Sequence, residues 1–127
     1  MDLREAHEFA DAWLQAWNDH DLDRVLAHYT DDIVFTSPVA AQLLASSEGV
    51  IRGKAALRHY WSEGLRRIPD LHFEIVGVYL GVDVLVINYR NQRGNLVNEV
   101  LLFDGPQVRW GYGTYLGGGT NPAGAKA

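Results

Sequence analysis

Residues 71–115 read LHFEIVGVYLGVDVLVINYRNQRGNLVNEVLLFDGPQVRWGYGTY. This segment contains four runs rich in β-branched and aromatic residues, and turn residues separate them. The runs predict strands over 71–80, 82–89, 96–103 and 108–115. The predicted turns are Gly81, Arg93-Gly94 and Asp104-Gly105. Four successive strands joined by short turns indicate an antiparallel meander.

The chain before this meander has mostly helical patterns. Its first helix is indicated by apolar residues three or four positions apart, namely Leu3, Ala6, Ala10, Trp13 and Trp17. Further expected elements are a short helix over 22–29, a turn over 30–32, a strand over 33–36 and a helix over 54–67. Gly64 in this last helix predicts a close packing contact. Segment 39–51 favours no single structure. Helices followed by a strand meander predict the α+β class, because a doubly wound sheet needs alternating strands and helices.

Composition excludes several classes of protein. A chain of 127 residues is one domain's worth and can bury its own core. It has no cysteine, so it has no disulfides and no thiolate metal ligands. The net charge of -5 argues against a nucleic-acid partner. No apolar run approaches the ~20 residues of a membrane span, and the N-terminus lacks a signal-peptide pattern. We therefore expect a cytoplasmic protein without membrane contacts.

Large aromatic residues are the unusual feature of the composition. The chain has four Trp, six Tyr and four Phe. Such side chains are typical of a wide pocket for an apolar ligand, and they are equally typical of a bulky core. Both interpretations remain open at this point.

Four segments carry a resemblance to a known family. They are WLQAWNDHDLD at 13–23, HYTDDIVF at 28–35, RGKAALR at 52–58 and VRW at 108–110. Together they resemble a SnoaL-like member of the nuclear transport factor 2-like superfamily. That superfamily includes steroid isomerases, polyketide cyclases, epoxide hydrolases, dehydratases and inert binding domains. The resemblance implies a strongly bent, mainly antiparallel sheet wrapped around three helices, a cone with an apolar interior pocket. We assign the domain to 1–116 and a Gly-rich tail to 117–127.

The resemblance to the ketosteroid isomerase branch transfers only in part. That branch places a carboxylate base just before a proline at the end of the first strand, where this chain has Ser37. A serine without a nearby base cannot abstract a carbon-bound proton, so we expect little steroid isomerase activity. The oxyanion-donor position of the branch falls on Trp13, and its supporting aromatic positions fall on Tyr29 and Trp61. Its buried protonated acid falls on Glu99.

Glu99 is thus the candidate catalytic residue. In an apolar pocket its pKa would rise through loss of solvation, and it would serve as a hydrogen-bond donor or general acid and base. The alternative is a glutamate that faces solvent. If Arg93-Gly94 form the turn, Asn88 lies opposite Glu99 on the same face, whereas another loop length exchanges the faces.

The remaining candidates are expected to line the pocket. The full set is Trp13, Trp17, Tyr29, Ser37, Trp61, Asn88 and Trp110. The five histidines are scattered, and no pair has the spacing of a helical metal motif, so neither a metal nor a cofactor is expected.

Three functions remain open. The chain is an enzyme acting on a small hydrophobic carbonyl or hydroxyl compound, a non-catalytic binding domain for such a molecule, or a dimerisation module. The predicted strands are apolar on both faces, and an exposed apolar sheet face is rare in monomers. A homodimer formed through the outer face of the sheet is therefore expected.

Overall fold

The computed structural model describes residues 1–117 and has an α+β fold, as predicted. Its helices are α1 (Leu3–Asn18), α2 (Leu22–Leu26), α3 (Pro38–Leu43) and α4 (Lys54–Arg67), and a 3-10 turn covers Ala45–Ser47. Its strands are β1 (Tyr29–Thr36), β2 (Val50–Arg52), β3 (Glu74–Leu80), β4 (Val84–Arg90), β5 (Leu96–Asp104) and β6 (Gln107–Tyr115). The predicted tail lies, apart from Gly117, outside the described residues.

The six strands form one sheet in the order β2-β1-β6-β5-β4-β3. All pairs are antiparallel except β1 with β6, so the predicted meander makes up the four adjacent strands from β3 to β6. The helices cover one face of this sheet. On α1 the buried side chains are Ala6, Ala10, Trp13, Ala16 and Trp17, and Asp2 caps the helix by accepting a hydrogen bond from the Glu5 N–H.

The prediction for 22–32 is wrong. The second helix ends at Leu26, and β1 already begins at Tyr29 in place of a helix end followed by a turn. The strand is held by long-range parallel pairing, in which Tyr29 faces Val108. The register slips before the next pair, Val34 with Trp110. This irregularity leaves the two aspartates between them exposed and explains their turn-like pattern.

Two further expectations change. The segment that favoured no single structure contains α3, the 3-10 turn and β2 up to Ile51, so the fold has a fourth helix. Gly64 does not serve a close packing contact, since a methyl group at this position would meet no atom within 4 Å. It lies beside an open space between the helices and the sheet.

Candidate functional site

A cavity of about 360 Å³ lies between the helices and the inner face of the sheet. Its walls come from α1, α3, α4 and strands β1, β4, β5 and β6. Aromatic rings make up most of the deep part, and they are Trp13, Trp17, Phe35, Tyr60, Trp61, Phe73, Tyr89 and Tyr115. The volume is at the small end of the range typical of ligand pockets.

The aromatic wall is continuous because its rings pack against one another. The ring centroids of Trp17 and Trp61 are 4.9 Å apart at 77°, and those of Phe73 and Tyr89 are 4.4 Å apart. Contacts between aromatic rings at such distances stabilise a pair beyond the area it buries. The wall is therefore a close-packed surface that resists expansion.

Glu99 is the one carboxyl in the deep part of this cavity within the described residues. Its side chain is 7% exposed, and the hydroxyl of Tyr89 donates a hydrogen bond to its Oε1 at 3.0 Å. None of the ion pairs formed by residues 1–117 involves it. Burial raises the pKa of Glu99 to about 7, and the Tyr89 hydrogen bond offsets part of that rise. The group can therefore exchange a proton near neutral pH.

A second polar cluster on the cavity wall consists of Ser37, Tyr60 and Tyr115. Ser37 is 5% exposed, and its Oγ accepts a hydrogen bond from the Val39 N–H at 3.1 Å, which caps α3. Its hydroxyl also interacts with the phenols of Tyr60 and Tyr115. Burial raises the pKa of Tyr60 to about 12 and raises that of Tyr115 as well, so both phenols keep their protons as donors. The charge of Glu99 adds to the rise in the pKa of both phenols.

The mouth of the cavity differs from its floor. The exposed residues that line it are Arg67, Asp70 and Arg93, and Asn91 and Gln92 stand beside them half-buried. They come from the end of α4 and from the loop between β4 and β5. The cavity thus has an aromatic interior with one acid, and a polar, charged entrance.

Five of the predicted site residues line the cavity, namely Trp13, Trp17, Ser37, Trp61 and Glu99. Tyr29 is fully buried behind the wall, where its hydroxyl accepts a hydrogen bond from the Trp13 indole N–H at 3.0 Å and its ring packs on Trp61. It lies on β1 and does not line the cavity.

Asn88 and Trp110 lie outside the cavity, contrary to their expected positions. The residue opposite Glu99 is Ile87, and Asn88 pairs with Asn98 and donates a hydrogen bond to it. The register differs from the predicted one because the loop has five residues, 91–95, closed by the Asn91 side chain, which accepts from two backbone N–H groups. Trp110 faces outward and is 40% exposed.

Tyr89 and Tyr115 are absent from the sequence-based set although both line the cavity. The parity of β4 is the signal for Tyr89, since it follows the buried Leu85 and Ile87 at steps of two. Tyr115 is the last residue of β6, and only the pairing of that strand shows which way it points.

Residues 1–117 contain neither a metal-binding cluster nor a membrane-spanning helix. No three His, Cys, Asp or Glu side chains lie close enough together there to hold a metal ion. None of the helices in this part of the chain is long and apolar enough to cross a membrane.

The family model for the SnoaL-like domain matches residues 10–110. A SnoaL-like protein of unknown function from Burkholderia thailandensis is 40% identical, with 91% of this chain and 98% of that chain covered and a TM-score of 0.86. Comparison with curated proteins gives no significant match.

More distant structures share the fold. A candidate hydroxylase from Streptomyces galilaeus is 19% identical, with 91% of each chain covered and a TM-score of 0.69. A candidate polyketide cyclase from Sinorhizobium meliloti is 9% identical, with 84% of this chain and 94% of that chain covered and a TM-score of 0.70. At these identities the likeness concerns the fold alone.

Proposed function

This chain belongs to the SnoaL-like domain family, and we propose that it is an enzyme that moves a proton on a small hydrophobic carbonyl or hydroxyl compound. The observation that carries the proposal is the Glu99 carboxyl, which lines the cavity, is 7% exposed and has a pKa of about 7. A general acid or base works best when its pKa is near the working pH. The distant neighbours named for hydroxylase and cyclase chemistry agree with small-molecule processing.

The two forms of Glu99 have different roles. The neutral carboxyl donates a hydrogen bond or a proton to a carbonyl or hydroxyl oxygen of the substrate. The carboxylate accepts a proton from a carbon next to a carbonyl. Tyr89 is the positioning residue, because its hydroxyl holds Oε1 and leaves the other carboxyl oxygen for the substrate. The phenols of Tyr60 and Tyr115 supply further donors for charge that develops on a substrate oxygen.

Hydrogen–deuterium exchange tests proton transfer without knowledge of the natural substrate. We would follow exchange of the acidic carbon-bound protons of 2-tetralone, a two-ring ketone, in D₂O by proton NMR. The protein is expected to accelerate exchange roughly 100-fold, and the rate should rise with pH through about 7 as Glu99 ionises.

Glu99→Gln should remove this acceleration, because an amide does not take up a proton at these pH values. Glu74→Gln is the matched control, since Glu74 is an exposed glutamate on β3, the strand at the edge of the same sheet. Exchange at the rate of free solution, or acceleration that survives Glu99→Gln, would contradict the proposal.

A non-catalytic binding domain is the second candidate. It is favoured by the serine at position 37, since Glu99 then has no partner acid or histidine among the described residues of the deep cavity. The same experiment separates the two functions. A binding domain would bind the ketone, as seen by calorimetry, and leave its exchange rate unchanged.

We propose a second copy of this chain as the partner of the outer sheet face. Val86, Val100 and Tyr112 are neighbours across three strands there, and Leu102 and Trp110 are a pair in the adjacent row. These side chains are half-buried or exposed in the single chain. A symmetric dimer would remove this apolar surface from water.

A further inference from the structure

The interior and the entrance of the cavity differ in chemistry. Its interior is aromatic and contains Glu99 as the acid, whereas its entrance is lined by Arg67, Asp70 and Arg93. The loop that carries Arg93 precedes β5, and Glu99 is the fourth residue of that strand. At about 3.3 Å per residue, Glu99 lies roughly 10 Å inward from the beginning of the strand. A ligand that touches Glu99 and reaches the entrance is therefore about the length of two fused rings with one substituent at each end.

The charge at the entrance differs in sign from that of the whole chain. The net charge of the protein is -5. The charged residues that line the entrance are two arginines and one aspartate, which gives it a net positive charge. The guanidinium of Arg67 lies 3.6 Å from the carboxylate of Glu63. The same carboxylate forms a shorter ion pair with Arg66, at 2.8 Å. Arg93 forms no ion pair within residues 1–117. A locally positive entrance on an acidic protein attracts anions.

We propose that the substrate is a small keto or hydroxy acid. Its carbonyl or hydroxyl oxygen lies at Glu99, its ring system occupies the aromatic interior, and its carboxylate stays at the entrance with Arg67 and Arg93. The carboxylate remains hydrated there, so no charge has to enter the aromatic interior. The proposal rests on the proposed function in one respect, namely that the ligand enters this same cavity with its oxygen toward Glu99.

The entrance arginines should contribute little to the affinity for the ligand, because they are exposed to solvent. Ion pairs between exposed groups contribute little each, and salt screens them. The acid should therefore bind roughly three- to tenfold more tightly than its uncharged ester at low salt, and the difference should shrink at high salt. Most of the affinity should come from the rings, which both compounds share.

Isothermal titration calorimetry with 6-acetyl-2-naphthoate and its methyl ester tests this directly. Arg93→Gln and Arg67→Gln should each bring the ratio of the two affinities closer to one, and Asp70→Asn should increase it. Arg58→Gln is the matched control, because Arg58 is an exposed arginine on α4 that pairs with Asp23 and does not line the cavity. It should leave the ratio unchanged.

The outcomes are distinguishable from those of the exchange experiment. An ester that binds as tightly as the acid, or a ratio that neither arginine variant changes, overturns the keto-acid assignment. The proposed function would then still stand if 2-tetralone exchange depends on Glu99. If neither naphthyl compound binds and 2-tetralone exchange is not accelerated, both proposals are wrong.

Discussion

Glu99→Gln should change the pH dependence of the stability of the protein. The pKa of Glu99 is about 7 in the folded chain, against 4.5 as the ordinary value. Between these two values the folded state keeps a proton that the unfolded state has lost, so stability falls as pH rises through this window. The loss in the free energy of unfolding is complete above about pH 8. It amounts to about 3 kcal/mol, because one pKa unit corresponds to about 1.4 kcal/mol.

Glutamine keeps the shape of the side chain and its acceptor for the Tyr89 hydroxyl, and it carries no charge at any pH in this range. The variant should match the wild type near pH 4 and exceed it by about 3 kcal/mol above pH 8. Urea unfolding of both proteins, followed by circular dichroism in steps from about pH 4 to about pH 9, measures this difference. Other titrating groups cancel, since both proteins contain them. With a urea slope of about 1–3 kcal/mol/M, the midpoints should separate by more than about 1 M at the alkaline end.

Tyr89→Phe provides an independent check on the cause. It removes the hydrogen bond that holds the pKa of Glu99 down, so the loss of stability should move to higher pH. Glu74→Gln is at an exposed position, so its difference in stability from the wild type should not change with pH. A wild type that gains stability relative to Glu99→Gln as pH rises would refute the reasoning, because it would mean that the folded state favours the carboxylate.

Three further predictions concern other parts of the molecule. Gly64→Ala should stabilise the chain by about 0.5–1 kcal/mol in thermal unfolding, because alanine favours the helix and its methyl meets no atom within 4 Å; destabilisation would mean that the space is not open. Asn18→Ala should lower the free energy of unfolding by about 1–3 kcal/mol, since the Asn18 side chain both donates to and accepts from the backbone of Phe73. Gln15→Ala, on the exposed side of α1, should lower it much less. Sedimentation should show a dimer that Val86→Glu dissociates; a single species near 14.2 kDa for the wild type would contradict the outer-face dimer.

The sequence predicted site residues correctly where the hydrophobic periodicity of a single helix shows which side chains are buried. Trp13 and Trp17 are on the buried side of α1 because their spacing repeats with the helix, and Trp61 follows the same logic on α4. Ser37 was found through the family resemblance, which places a site residue just before a proline, and its side chain caps the helix that begins there. These positions depend on contacts between near neighbours in the chain.

Asn88, Trp110 and Tyr29 show where that reasoning ends. A hairpin loop of five residues in place of two moves every later pair by one, and a shift of one residue turns a side chain to the other face of the sheet. Tyr29 belongs to a strand because it pairs with Val108, which is far away in sequence. Local patterns contain no information about such a partner.

The sequence by itself determined the α+β class, the first and last helices, the four-stranded meander and the resemblance to the SnoaL-like family. These follow from hydrophobic periodicity, turn residues and short motifs, all of which are local. Only the tertiary structure decided that Glu99 points inward, that Tyr89 holds it, and that the cavity is aromatic inside and charged at its entrance. The reason is physical. The direction of a strand residue depends on register, and the pKa of a carboxyl depends on what surrounds it, and both are set by residues that are distant in the chain.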